Sequence, residues 1–235
     1  MRLFACALTL IAAVFSGSPA VIADEVDLEL VLLADASRSI DNAEIRFQRQ
    51  GYADAITHPD VLSAIEQGFR QRIAITYVEW GDMTSQEVVV PWTIIDGKDT
   101  ATSFATALLE APRLAFGPNA IGNAIAAAHG LIESNDIDAF RRVIDFSGDS
   151  ANSFGGVPIA VARSAALAAD ITINGLAILC RQEDCGGRPN LYDLEDAFAK
   201  MIIGGPGSFV VTVDDRLSFA DAVRRKLILE IAELD

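Results

Sequence analysis

Residues 28–39 read Leu28-Glu29-Leu30-Val31-Leu32-Leu33-Ala34-Asp35-Ala36-Ser37-Arg38-Ser39. The near-continuous apolar run from Leu28 to Ala34 has strand length, and it suits a central strand covered on both faces rather than a half-exposed one. Directly after it, a carboxylate and two hydroxyls follow at a spacing of two. Alternate residues of an extended turn project to one side, so Asp35, Ser37 and Ser39 can converge on a single point. The C-terminal end of a buried strand is also where open α/β sheets bind ligands.

Working outward, strand-length apolar runs alternate with stretches of helical spacing. A polar helix is expected over 41–56, capped by Asp41 or Ser39 and stopped by His58-Pro59. Arg72–Val78 and Glu87–Trp92 read as strands joined by the turn-rich segment 81–85, which is too short for anything but antiparallel pairing. Pro91 lacks an amide donor, so this third strand belongs at an edge. Helices follow at 99–109 and along the apolar face Ile121, Ala124, Ile125, Ala128, Leu131 and Ile132. The second half repeats the alternation: strand 142–147, helix 157–169, strand 171–178, helix 192–203, strand 208–213, and a final amphipathic helix marked by Leu217, Ala220, Val223, Leu227 and Ile231. The pattern predicts an α/β, doubly wound, mostly parallel six-stranded sheet with one antiparallel edge strand and helices on both faces.

The beginning of the chain reads as an export signal over 1–23, with basic Arg2, an apolar run from Leu3 to Phe15, and the small residues Val21 and Ala23 before acidic Asp24. An uncleaved anchor is the alternative, although the apolar run is shorter than the ~20 residues needed to span a bilayer. Cys6 lacks the small-residue setting of a lipid-modified cut site. Residues 24–235 are then expected to form a single domain, periplasmic or secreted, with no membrane insertion after cleavage. With 18 Lys plus Arg against 33 Asp plus Glu and a net charge of −15, nucleic acid and anionic membranes are repelled. Cys180 and Cys185 fall in a Gly- and Arg-containing loop. In an oxidising compartment they form a disulfide; a zinc half-site is the other reading, but no His or further Cys lies near them in sequence.

A second element, Phe146-Ser147-Gly148-Asp149-Ser150, leaves the strand expected beside the first, and Asp149 would face the same point as Asp35. A third, Phe116-Gly117-Pro118-Asn119-Ala120, opens a helix. Together these stretches resemble the von Willebrand factor A-type, integrin-I-like fold with its metal-ion-dependent adhesion site, whose signature is Asp-x-Ser-x-Ser, a Thr in a later loop, and an Asp after the fourth strand. Asp35, Ser37 and Ser39 match the first part and Asp149 the last, while Asn119 stands at the Thr position. The resemblance covers essentially residues 24–235. Thr76–Trp80 and Val143–Asp149 are most similar to an uncharacterised, secreted bacterial branch of that family.

The resemblance implies a binding module rather than an enzyme. Ser37 and Ser39 would hold a divalent cation through their hydroxyls, Asp35 and Asp149 directly or through water, and the Asn119 amide oxygen would replace the Thr. Oxygen donors of this kind suit a hard ion, Mg²⁺ first, with Ca²⁺ or Mn²⁺ as alternatives. Two carboxylates leave residual positive charge for an Asp or Glu on a partner protein. Asn119 is longer than Thr and brings an NH₂ that must point elsewhere, so a weaker site, or one completed by the partner's carboxylate, is expected.

Other readings stand beside this one. Asp-x-Ser-x-Ser can be a helix-capping turn, leaving a metal-free scaffold. A Mg²⁺-dependent hydrolase could use Asp35 as nucleophile, but Ser37 occupies the position where a second carboxylate would be wanted. No Gly-x-Ser-x-Gly elbow accompanies His58 or His129. Gly204-Gly-Pro-Gly207 lacks the ending of a phosphate loop and is a turn. Asp145, inside a buried strand, requires a polar or ionic partner, whether structural or in support of the metal loop. Arg38 could steer an acidic ligand or be an ordinary surface residue, and Trp80 and Trp92 are core residues or a contact patch.

Overall fold

A computed structural model describes residues 24–179, 192–214 and 218–232. The export segment at 1–23, Cys180, Cys185 and Leu217 lie outside the described residues. The elements are β1 (Glu25–Asp35), α1 (Asn42–Ile56), α2 (Pro59–Glu66), β2 (Ile73–Trp80), β3 (Gln86–Ile95), α3 (Lys98–Glu110), α4 (Ile121–Glu133), β4 (Asp138–Gly148), α5 (Ile159–Ala168), β5 (Ile171–Ile178), α6 (Leu194–Met201), β6 (Val210–Val213) and α7 (Phe219–Ile231). The strands form one sheet in the order β3-β2-β1-β4-β5-β6. Every neighbouring pair is parallel except β2 with β3.

The pleat of β1 distributes its apolar run between two cores. Leu28, Leu30 and Leu32 pack with Tyr52 of α1, Val61 of α2, Phe104 of α3 and Leu227 of α7. Val31 and Leu33 pack with Ile125 of α4, Ala166 of α5 and Phe198 of α6. Burying one such side chain contributes roughly 1.5–3 kcal/mol, and the two acids buried within β1, Asp27 and Glu29, are satisfied by the Arg70 amide and the Asn135 side chain. Trp80 belongs to the second core, stacked on Phe146 with ring centroids 5.2 Å apart, and Trp92 packs against that core as well. Of the two readings of the tryptophans, core packing is the one observed.

The helix α2 was not anticipated, because Pro59 read only as a stop. Proline at the first position of a helix loses no intrahelical hydrogen bond, and His58 supplies the cap, its Nδ1 accepting from the Asp60 amide at 3.2 Å. Pro91 is exposed on β3, at the sheet edge. The ladder is irregular there, and the Thr76 hydroxyl donates to the Val90 carbonyl at 2.8 Å. Among the described residues no helix is long and apolar enough to cross a membrane.

Asp145 lies on the α1/α7 face of the sheet, on the other side from Asp35. It pairs with Lys226 of α7 at 2.7 Å, both 1% exposed, and Lys226 also meets Glu230 one turn further on. Asn174 of β5 donates to Glu230 at 3.1 Å. Burial, and then the neighbouring Asp145, pushes the Glu230 carboxyl up to about 7, against the opposing pull of Lys226. Asp145 is thus structurally paired, on the face of the sheet away from the Asp35 loop.

Candidate metal centre

The chain leaves β1 toward α1 on one face of the sheet and leaves β4 toward α5 on the other, so a crevice opens where these two neighbours end. The register pairs Leu33 with Phe146, which brings Asp35 and Gly148 to the ends of adjacent strands. A Cβ at Gly148 would stand 3.4 Å from Asp35 Oδ2, and Asp149 follows at once.

Asp35 and Ser37 are completely buried. Asp35 Oδ1 accepts from the Ser37 amide at 2.8 Å, and the Ser37 and Ser39 hydroxyl oxygens lie 3.3 Å apart. Oδ2 of Asp35 is buried without a hydrogen bond of good geometry, although the Asp149 backbone is near enough to favour its charge. The carboxyl is pushed from the usual 3.8 up to about 7, first by burial and then by the opposing Asp149 carboxylate. The influences that pull it back are the Ser37 hydroxyl and backbone hydrogen bonds, none of them a positive charge. Asp149 is also raised, by burial, while hydrogen bonding from Ser39 lowers it. An orphaned carboxylate oxygen, a second acid and two adjacent hydroxyls form an oxygen-only donor set suited to a hard divalent cation. Among the described residues there is no cluster of three or more His, Cys, Asp or Glu that could hold a metal ion, so a cation held here would depend on the hydroxyls as well as the two acids.

Capping does not account for the loop. Helix α1 begins at Asn42 and is capped by Asp41, whose side chain accepts from Ala43 and Glu44 while Glu44 reaches back to the Asp41 amide at 2.8 Å. Ser39 has no part in that box. Asp41→Ala is accordingly expected to lower stability by about 1 kcal/mol in urea unfolding, with cation binding by calorimetry unchanged.

Asn119 is buried, and its backbone carbonyl accepts from the Phe154 amide at 2.6 Å, tying its loop to the one that follows Asp149. The Arg38 amide donates to the Gly117 carbonyl at 2.8 Å, which ties the same loop to the serines. Gly117 has a φ of 105°, a conformation open mainly to glycine. Gly81 lets β2 exit beneath this loop, since a Cβ there would fall 2.1 Å from the Phe116 carbonyl oxygen.

Two arginines that the sequence reading did not single out hold the crevice in shape. Arg113 donates to the Ala36 carbonyl at 2.7 Å and to Asn42 at 3.0 Å. Arg49 makes a two-point pair with buried Glu79 at 2.8 and 3.0 Å and also binds the carbonyls of Ala111 and Pro112. Glu79 lies one residue beyond the strand end expected from sequence; β2 continues to Trp80 and buries it, so it demands a partner as Asp145 does. Arg38 is exposed beside the serines. His58 caps α2 and contacts Arg224, and His129 lies near the end of α4 that is remote from the crevice.

The profile of DUF1194, described as a protein of unknown function, matches residues 25–235. The chain belongs to the DUF1194 family. No curated protein matches this DUF1194 chain in sequence. Its fold is that of von Willebrand factor A-type domains. Proximal thread matrix protein 1 from the mussel byssus superposes with a TM-score of 0.60 at 14% identity, over 89% of this chain and 49% of that one. One structure of that protein was solved with a zinc-occupied MIDAS motif. The pilus adhesin SpaC from Lactobacillus rhamnosus GG gives 0.60 at 10% identity, over 87% of this chain and 31% of that one. The vWF domain of the type V pili tip protein Mfa5 from Porphyromonas gingivalis gives 0.53 at 9% identity, over 89% and 98%. The DUF1194 chain thus spans about half the mussel protein and about a third of SpaC.

Proposed function

We propose that this DUF1194 chain is an exported von Willebrand factor A-type binding module that holds a divalent cation on Asp35, Ser37, Ser39, Asn119 and Asp149 and engages an acidic group on a partner protein. The observation that carries the proposal is the buried Asp35 carboxylate, which faces a second acid and is eased only by neutral hydrogen-bond donors. Burying like charges together is costly unless a cation joins them. A metal-occupied site in the mussel protein and adhesin relatives of the same fold support the reading. Mg²⁺ is the expected ion, with Mn²⁺ or Ca²⁺ as substitutes. When bound, it would supply a positive centre able to accept a partner's carboxylate oxygen. The chain's own part is to orient the two serine hydroxyls, exclude water from Asp35 and anchor the loops through Arg113.

Titrating Mg²⁺, Mn²⁺ and Ca²⁺ into the protein by calorimetry should give binding heat and raise the melting midpoint. Absence of both with all three ions, even with an acidic peptide present, would overturn the proposal. The proton competes with the ion. Asp35 has a folded pKa of about 7 against 3.8, so affinity should fall below pH 7 by about tenfold per pH unit for each proton displaced. For the cation-free protein the sign is opposite to that of a stabilised carboxylate. The raised pKa favours the fold while Asp35 stays protonated, and that advantage disappears between pH 4 and 7. Thermal melts in EDTA should therefore show lower stability at pH 7 than at pH 5, with Mg²⁺ restoring more at pH 7.

A further inference from the structure

Exposed apolar side chains crowd the same end of the sheet as the crevice. Met83, Leu114, Phe116, Phe154 and Tyr192 are between 38% and 61% exposed. Met83 sits in the β2–β3 turn, Leu114 and Phe116 in the α3–α4 loop, and Phe154 in the β4–α5 loop, where the Ala151 amide donates to the Tyr192 hydroxyl at 2.9 Å.

These loops are fastened to one another and to the candidate ligands. The Asp82 amide donates to the Phe116 carbonyl at 3.0 Å, and the Asn123 side chain to the Met83 carbonyl at 3.0 Å. The Phe154 amide binds Asn119, and Gly117 beside Phe116 binds Arg38. The Arg113 guanidinium that grips Ala36 also covers the Phe116 ring, 4.7 Å from its centroid. Backbone hydrogen bonds thus hold the apolar rim in place around the crevice, so little ordering is required when it is covered.

The overall charge narrows what can cover it. At −15 the protein repels an acidic partner at long range. Attraction has to arise at contact, from the ion and from the apolar surface around it. We infer that the partner is a protein segment in which the acidic residue is flanked by apolar side chains that seat on Met83, Phe116 and Phe154. This rests on the cation reading above. Because the charge term opposes association except at the ion itself, added salt should leave binding unchanged or strengthen it.

The test uses two immobilised peptides of equal length, one with a Leu-Asp-Phe centre and one with Ser-Asp-Ser, measured by surface plasmon resonance in Mg²⁺ and in EDTA, at low and high salt. The apolar-flanked peptide should bind at least about tenfold tighter, an advantage of the size that one buried aromatic anchor confers, and EDTA should abolish it. The double variant Phe116→Ser, Phe154→Ser should erase the preference while keeping the calorimetric cation signal. Met83→Ser should reduce it, and serves alone if the double variant does not fold by circular dichroism. Equal binding of both peptides, or of neither, with the cation bound would overturn the inference but leave the cation site standing. No cation binding would instead overturn the underlying reading. A Mg²⁺-dependent dimer in sedimentation that the double variant dissolves and the peptide fails to displace would assign the rim to a second copy of the chain, and would also overturn the inference.

Discussion

Asp35→Asn is expected to lower affinity for Mg²⁺, Mn²⁺ and Ca²⁺ by about 100-fold or more, since it removes half the negative charge of a site whose remaining donors include only one acid. The substitution keeps the shape of the side chain and the oxygen that accepts from Ser37. It also removes a buried charge that burial first, and the facing Asp149 second, make costly enough to push the Asp35 carboxyl up to about 7. The variant should therefore melt at a higher temperature than the parent in EDTA at neutral pH, while losing the parent's stabilisation by cations. A functional residue maintained against the interest of the fold would behave in this way. Binding as tight as the parent's in calorimetry, or destabilisation in EDTA, would contradict this account of the crevice.

Lys226→Met is expected to cost about 3–5 kcal/mol at neutral pH, the usual penalty for removing one member of a buried ion pair. That is a large share of the ~5–15 kcal/mol that holds a typical domain together. Methionine retains most of the stem, so lost packing contributes little, and the effect comes from leaving Asp145 and Glu230 buried without their cation. Both acids are already raised in the parent, and without Lys226 they rise further. Below the unfolded carboxyl range near pH 4 both states are protonated and the penalty vanishes; above it the unfolded chain ionises freely while the folded one cannot. Urea unfolding should show a much smaller deficit at pH 4.5 than at pH 8. Adding Asp145→Asn and Glu230→Gln to the variant should recover most of the loss at pH 8. An equal deficit at both pH values would refute the electrostatic origin.

The strands were legible in the sequence because β1 and its neighbours are buried on both faces and tolerate few polar residues. Their limits were less so. β4 starts at Asp138 rather than near Arg142 because its first residues pair with Glu25 and Val26, and pairing with a distant strand leaves no local trace. Helix α2 was hidden by reading Pro59 in one direction only. In α7 the periodicity of Val223, Leu227 and Ile231 was clear, yet it says nothing of Lys226 and Glu230 beside that stripe; only the acid inside β4 shows why a lysine is buried there. Asp35, Ser37 and Ser39 stood out by spacing within five residues. The support from Arg113 and the gathering of Phe116 with Phe154 could not be read, because they depend on loops that meet only once the sheet has ordered them.

The irregular, proline-bearing strand at one edge of the sheet bears on self-assembly. A straight edge strand offers its free amides and carbonyls as a template on which further copies can add. β3 withholds one donor at Pro91 and breaks its ladder beside it, and the opposite edge, β6, is only four residues long. Among the described residues neither margin offers a long, regular edge for open-ended backbone pairing. Association between copies of this chain would then rest on side-chain contacts more than on backbone pairing.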